Sequence, residues 1–195
     1  MARIQHRREA RPEELRTVEG GQKLKYPVNL VAEAIRREGL EAGLGPNVFL
    51  VRSGYRSVAH QERLWRRAVE RHGSEAAARR FVAPPGNSAH QTGGAMDLDL
   101  GLPTCCDSRR VAEYANTRAF RFLQEIAPRY KLTNYEAEPW QWECDEACEQ
   151  NILEMNRSEG GVSSTGVKKA AKYAGIGLGA IALGVGAFYL AGGFD

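Results

Sequence analysis

Residues 95–100 form the most constraining stretch of the sequence, because apolar and acidic side chains alternate there. Successive side chains of a β-strand point to opposite faces, so the larger apolar residues would share one face and Asp97 and Asp99 the other. The pattern predicts a strand with one face in a core and an open acidic face. A histidine, His90, and a glycine turn come just before the strand.

Helical patterns lie on both sides of this strand. Pro27 can begin one helix, and Ser57 can cap a second that runs to His72. An apolar stripe at helical spacing covers residues 111–126 and ends before Pro128. A short apolar run predicts a buried strand at 48–51, and two further strands are predicted at 130–133 and 140–143. Helices come first and strands then mix with helices, an order that favours an α+β fold over alternating βα units.

The two ends of the chain differ in composition from its middle. Residues 1–26 are charged and aperiodic, which predicts a flexible arm, and they lack the apolar core of a secretory signal peptide. Residues 155–172 have the Gly, Ser and Lys content of a linker. Residues 173–194 carry no charge and are long enough to cross a hydrocarbon core of about 30 Å as a helix. The sequence therefore predicts a domain over 27–154 and a single C-terminal transmembrane helix.

The uncharged segment also predicts its own partners. Membrane lipid would surround it, and Gly175 and Gly179 form a small-xxx-small step that permits helix–helix self-association. The other interpretation is a buried or amphipathic segment, which its uniform apolarity disfavours. Nucleic acid is not expected as a partner, because the net charge is only +3 and acidic residues lie between the basic ones.

The four cysteines occur in two clusters, Cys105 with Cys106 and Cys144 with Cys148. An even number in two clusters favours disulfides and an oxidising destination. A zinc site of four thiolates is a weaker interpretation, because adjacent cysteines are awkward ligands and the usual two-residue spacing is missing. Four free, partly buried thiols are the third possibility.

His90 and Asp97 are the first candidate metal ligands. Imidazole nitrogen and carboxylate oxygen both bind zinc well, and the intervening glycines would let the chain fold back on itself. Alone, such a pair is equally compatible with a loop histidine and a surface aspartate.

The wider pattern resembles the metal-binding signature of the VanY-like D-alanyl-D-alanine carboxypeptidase family, Ser-x-His-x-x-Gly-x-Ala-x-Asp. The fixed positions are matched by Ser88, His90, Gly93, Ala95 and Asp97. Residues 53–57 (Ser-Gly-Tyr-Arg-Ser) with Gln61, and residues 138–140 (Glu-Pro-Trp), resemble two further elements of that family. The resemblance covers about residues 27–145.

This resemblance implies a fold and an activity. The fold would be a small antiparallel sheet flanked by helices, of the D-Ala-D-Ala carboxypeptidase or hedgehog-like kind. The activity would be that of a zinc metallopeptidase, which cuts D-Ala-containing bonds of peptidoglycan stem peptides with a metal-activated water. Whether it trims an end or cuts a cross-link stays open.

The resemblance also implies a role for each matched residue. His90 and Asp97 would bind zinc, Glu138 would be the general base and Arg56 would stabilise the oxyanion. Three residues would contact substrate or wall the pocket: Ser88, Gln61 and Trp140. Outside this context the same residues would be an ion pair (Arg56 and Glu138), a cap (Ser88) and a core aromatic (Trp140).

One position departs from the family pattern. Gln141 stands where the family has its third zinc-binding histidine, and a neutral amide oxygen is a poor zinc ligand beside imidazole. Glu143, on the same strand face, is a second candidate to reach the ion. Weaker zinc binding, another ion, or an inactive module that still binds stem peptides all remain open. We expect the enzyme, because a binding module has no need of Glu138.

The resemblance bears on the cysteines and on location. A shared site requires neighbouring strands, so we predict disulfides between the 105–106 cluster and the 144–148 cluster. Lysines before the span favour a cytoplasmic domain, whereas substrate and cysteines favour the side that faces the cell wall. A component of a phage particle or injection machine, which meets the wall on entry or lysis, would reconcile the two.

Overall fold

The computed structural model describes residues 7–158. These residues form six strands, in a hairpin and a four-stranded antiparallel sheet of order β3-β4-β6-β5. The strands are β1 Leu15–Thr17, β2 Lys23–Lys25, β3 Val51–Ser53, β4 Ala95–Leu98, β5 Thr133–Asn134 and β6 Gln141–Glu143. The helices are α1 Val28–Glu41, α2 Val58–His72, α3 Glu75–Ala78, α4 Val111–Ala115, α5 Arg118–Tyr130 and α6 Glu146–Ser158. The expected α+β fold with a small antiparallel sheet flanked by helices is confirmed.

Strand β4 lies between β3 and β6 and is buried on both faces. The apolar face contributes Met96 and Leu98 to the main core, beside α1 and α5. The acidic face is covered too, since Asp97 is 7% exposed and Asp99 is 5% exposed. The expectation of an open acidic face is therefore wrong: Arg52 of β3 pairs with Asp99 at 2.6 Å, and a short 3-10 turn lies against β4.

Local capping signals predicted the helix beginnings well. The Ser57 hydroxyl accepts the N–H of His60 at the start of α2, which confirms that cap. The single helix predicted over 111–126 is instead two helices, because Thr117 starts a new one by accepting the N–H of Phe120. Pro128 lies inside α5 rather than closing it; the helix ends at Tyr130, and Lys131 caps it in the left-handed conformation.

The segment predicted as a flexible arm folds against the domain. Strands β1 and β2 pair in an antiparallel hairpin whose turn contains Gly20 and Gly21, both at positive φ. Leu24 of this hairpin is fully buried in the main core. The prediction of a flexible arm is thus wrong for the hairpin, because burial of its apolar side chains holds it to α1 and the sheet.

The disulfides form within the cysteine clusters, Cys105 with Cys106 and Cys144 with Cys148. The prediction of bridges between the clusters is wrong, and the direction of the strands is the reason. Because β4 and β6 are antiparallel, the chain that leaves β4 lies where β6 begins. Cys144 follows the other end of β6, where its N–H bonds to the Gly94 carbonyl.

Helix α6 extends to Ser158 and so reaches into the segment predicted as a linker. No helix among residues 7–158 is long and apolar enough to cross a membrane. The predicted transmembrane helix, 173–194, lies outside the described residues.

The hairpin's contribution to the core gives a stability prediction. Leu24→Ala should lower the free energy of unfolding by about 2–5 kcal/mol, because it removes a fully buried side chain and leaves a cavity. Chemical denaturation of the full chain measures this change. The matched control is the exposed neighbour Lys23→Ala, which should stay within about 0.5 kcal/mol. Equal, negligible effects of the two changes would mean that the hairpin is not part of the folded unit.

Candidate active site

Strand β4 carries the proposed ligand Asp97. It pairs with β6, which directly follows the segment that contains the proposed base, Glu138. Asp97 lies directly opposite Gln141 in this register, and Ala95 opposite Glu143. Side chains at directly opposite positions of an antiparallel pair share a face of the sheet. Asp97, Gln141 and Glu143 therefore share one face, as the alternation along each strand requires.

His90 sits on the 3-10 turn Ala89–Thr92, which ends at Gly93 in the left-handed conformation. Its Nδ1 donates to the Gly54 carbonyl at 2.8 Å, so the neutral ring presents the lone pair of Nε2. Gly54 has to be glycine, because a Cβ there would come within 2.4 Å of the Lys23 carbonyl oxygen. The Ser-Gly-Tyr-Arg sequence thus orients the histidine through its backbone.

His90 Nε2 lies 3.5 Å from Asp97 Oδ1. That oxygen is buried and accepts no hydrogen bond from the described residues. Two such atoms that face each other in a buried place call for a metal ion or a proton between them. Two ligands at about 2.1 Å from a tetrahedral zinc ion lie about 3.4 Å apart, so the observed separation fits a shared zinc ion.

The third position of the predicted ligand set is Gln141. Its Nε2 donates to Glu143 Oε1 at 2.8 Å, and the other oxygen of Glu143 pairs with Arg7 at 3.1 Å. Within residues 7–158 no group of three His, Cys, Asp or Glu side chains is placed to hold a metal ion. The donor set therefore fits zinc at two positions and offers a neutral amide at the third.

Arg56 is held at the edge of the same cavity. Its Nη1 donates to Gln61 Oε1 at 3.0 Å and its Nη2 to Ser53 Oγ at 3.1 Å. Burial lowers the pKa of the guanidinium, while the charges of Asp97 and Glu138 act to raise it. Gln61, only 1% exposed, also donates to the Ala83 carbonyl, so both ends of its amide bind protein groups. Here Gln61 supports Arg56, and its predicted contact with substrate stays a prediction.

Glu138 lies in the turn that leads into β6 and is about half-buried. Burial raises the pKa of its carboxyl, and the nearby charge of Asp97 raises it further. Trp140, itself buried, donates from Nε1 to Glu138 Oε2 at 3.0 Å. The tryptophan is thus both a core aromatic and the partner of the proposed base.

Ser88 precedes the His90 turn, but its hydroxyl does not cap that turn. The residue is buried and lines the cavity, which leaves the hydroxyl available to a bound molecule. The alternative role of Ser88 as a helix cap is therefore not observed in the structure.

One cavity of about 470 Å³ brings the predicted residues together. It is lined by Arg56, Gln61, Ser88, His90, Asp97, Glu138, Trp140 and Gln141. Of the four cysteines only Cys106 lines it. Because both pairs are disulfides, a zinc site of four thiolates is excluded, as are free thiols.

The sequence interpretation missed residues that reach the cavity from the N-terminal segment. Arg7 lines it, with its N–H bonded to the Gly86 carbonyl and its own carbonyl bonded to Gln91. The signal that was available is the Gly20-Gly21 pair between two short runs, which is typical of a hairpin turn. A hairpin there would have placed the preceding residues against the domain.

Comparison with known families identifies the class of protein. The sequence profile of the VanY family, described as D-alanyl-D-alanine carboxypeptidase, matches residues 29–144. This match covers more than half of the chain, and the chain belongs to this family.

One solved structure shares the fold, and two others are similar over much of their length. The LdcB LD-carboxypeptidase, whose structure concerns peptidoglycan recognition, is 21% identical with a TM-score of 0.59, over 75% of each chain. VanYB in complex with D-Ala-D-Ala is 21% identical with a TM-score of 0.46, over 73% of this chain and 83% of that one. A D,D-pentapeptidase VanY in complex with Zn(II) is 22% identical with a TM-score of 0.47, over 72% and 84%. Among curated proteins none matches this chain.

The environment of Glu138 predicts a pH-dependent effect on stability. Its raised pKa means that ionising it costs the metal-free folded state stability as pH rises above about 4.3, the value for a solvated glutamate. Glu138→Gln should therefore raise the denaturation midpoint of the metal-free protein at neutral pH. The gain should disappear below about pH 4, where both states protonate the wild-type carboxyl.

Midpoints measured across this pH range, with the exposed Glu136→Gln as control, test the prediction. A Glu138→Gln variant that is less stable than wild type at neutral pH would contradict it.

Proposed function

We propose that this protein hydrolyses a D-alanine-containing peptide bond of peptidoglycan stem peptides, with zinc bound by His90, Asp97 and Gln141. The observation that carries the proposal is the buried pair of candidate ligand atoms, His90 Nε2 and Asp97 Oδ1, at 3.5 Å. This pair lies in the same cavity as a carboxyl and a guanidinium, those of Glu138 and Arg56. Membership of the VanY family supports the substrate class.

The bound ion would supply a Lewis acid, which polarises the scissile carbonyl and lowers the pKa of a water molecule. Glu138 is the group that accepts a proton from the attacking water. Its raised pKa suits this role, because a carboxyl closer to neutrality holds the proton long enough to pass it to the leaving amine. Trp140 binds Oε2 of the base, and we assign the proton transfer to the other oxygen, Oε1.

Arg56 provides fixed positive charge where negative charge develops on the carbonyl oxygen. Two hydrogen bonds, to Ser53 and Gln61, hold the guanidinium in place before substrate arrives. A donor that is already oriented stabilises an oxyanion without reorganisation during the reaction. The Ser88 hydroxyl is the group we assign to the terminal D-alanine, because it is buried beside His90 and makes no cap.

A second candidate function is a stem-peptide-binding module that no longer hydrolyses. Gln141 favours it, because a neutral amide replaces an imidazole at one ligand position and weakens zinc binding. Glu138 and Arg56 would then serve substrate binding alone.

We further propose that residues 173–194 anchor the domain to a membrane as a single C-terminal span, in contact with lipid. The step from Gly175 to Gly179 would support self-association of this span. The domain would face the cell wall, or the protein would be carried in a phage particle.

Release of D-alanine from a peptide that ends in D-Ala-D-Ala tests the proposed hydrolysis. The zinc-supplemented full chain should release D-alanine, and Glu138→Gln should lower kcat/KM by about 10²–10⁴-fold with little change in KM, because the base acts in the transition state. The control Glu136→Gln, also near this turn but exposed, should keep wild-type activity. Peptide binding by the wild type without D-alanine release would contradict hydrolysis and favour the binding module.

A further inference from the structure

We infer that Glu143 is a positioning residue, which orients the side-chain amide of Gln141 so that its carbonyl oxygen completes the metal site with His90 and Asp97. This inference rests on the proposed zinc site and adds a residue to it. It explains how a chain without the third histidine keeps a third donor.

The first observation is the hydrogen bond from Gln141 Nε2 to Glu143 Oε1, at 2.8 Å. An ionised carboxylate only accepts hydrogen bonds, so the amide must turn its NH₂ end toward Glu143. The carbonyl oxygen, Oε1, is then the end left for the cavity that Gln141 lines with His90 and Asp97. The carboxylate thus fixes which end of the amide is presented.

The second observation is the strand register. Gln141 lies directly across from Asp97, whose Oδ1 accepts no hydrogen bond from the described residues. Glu143 lies two residues further along β6, on the same face and opposite Ala95. Of Gln141 and Glu143, it is therefore Gln141 that neighbours the Asp97 carboxylate, and Glu143 lies one position further along the same face.

The third observation is that both oxygens of Glu143 already have partners. Oε1 accepts from Gln141, and Oε2 pairs with Arg7 Nη1 at 3.1 Å. A direct bond from Glu143 to the ion would have to use the second lone pair of an oxygen that already holds a protein contact. The geometry therefore favours Glu143 as the partner of the ligand over Glu143 as the ligand.

The chemistry of the contact strengthens the donor. A carboxylate that accepts from an amide N–H increases the electron density on the amide's carbonyl oxygen, as a carboxylate does for a zinc-bound imidazole when it accepts from the other ring nitrogen. Losing such a partner typically lowers metal affinity by about 10–100-fold. We expect an effect of this size for Glu143.

The test is a double-mutant cycle on zinc affinity, measured on the full chain by competition with a chromogenic chelator. Glu143→Ala should weaken zinc binding by about tenfold or more in the presence of Gln141. In the Gln141→Ala background, Glu143→Ala should change affinity by less than about twofold, because no amide remains to be oriented. Equal losses in the two backgrounds would overturn the inference, since Glu143 would then act on the ion directly or through its charge.

Two control variants accompany the double-mutant cycle. Arg7→Ala removes the other partner of Glu143 and should leave zinc affinity within about twofold, since the contact with Gln141 stays. Glu143→Gln is the conservative variant: it keeps the strand side chain but removes the charge, so it should also weaken zinc binding. Glu143→Gln replaces Glu143→Ala in the cycle if melting curves show that Glu143→Ala does not fold.

The outcome is separable from that of the proposed hydrolysis. Zinc binding that depends on Glu143, without release of D-alanine, would contradict the proposed hydrolysis and support this inference. Release of D-alanine by a Glu143→Ala protein with undiminished zinc affinity would support the proposed hydrolysis and contradict this inference. Absence of zinc from the wild-type chain would overturn the inference outright.

Discussion

The antiparallel pairing of β4 with β6 is the constraint on which the rest of the structure depends. It sets Asp97 across from Gln141 and brings the Glu138 turn beside the carboxylate strand. The same pairing keeps the two cysteine clusters at opposite ends of the strands, so each closes its own disulfide. A register slip of one residue would turn Asp97 into the core and Met96 toward the cavity.

Without a bound ligand, charged groups of the site interact unfavourably with one another. Asp97 raises the pKa of Glu138, and His90 Nε2 lies 3.5 Å from an Asp97 oxygen that accepts no hydrogen bond from the described residues. Such arrangements cost folding free energy and persist where the surrounding structure fixes them. Here the backbone of Gly54, the indole of Trp140 and the side chains around Arg56 supply that support. A bound cation would bridge His90 and Asp97, and this links metal binding to stability.

What the sequence predicted and what it missed have a common physical basis. The Ser57 cap is local, so one residue and its neighbours were enough to predict it. The family motifs predicted the residues that meet in the cavity, because each motif has fixed internal spacing. The pairing of the cysteines depends on strand direction, which no local pattern records. Residues 10–26 show no clear alternation, so burial of Leu24 was invisible until the hairpin placed it against α1. The partner of Gln141 likewise became visible only from side-chain geometry.

The most direct test of the account is X-ray absorption spectroscopy at the zinc edge on the full chain loaded with one equivalent of zinc. We predict one imidazole nitrogen, with all the other atoms bound to zinc being oxygen, at about 2.0–2.1 Å. That result would match His90, Asp97, the Gln141 carbonyl and solvent. A shell of oxygen scatterers without imidazole, or one with two or more imidazoles, would mean that zinc binds elsewhere and would contradict the site described for this family member.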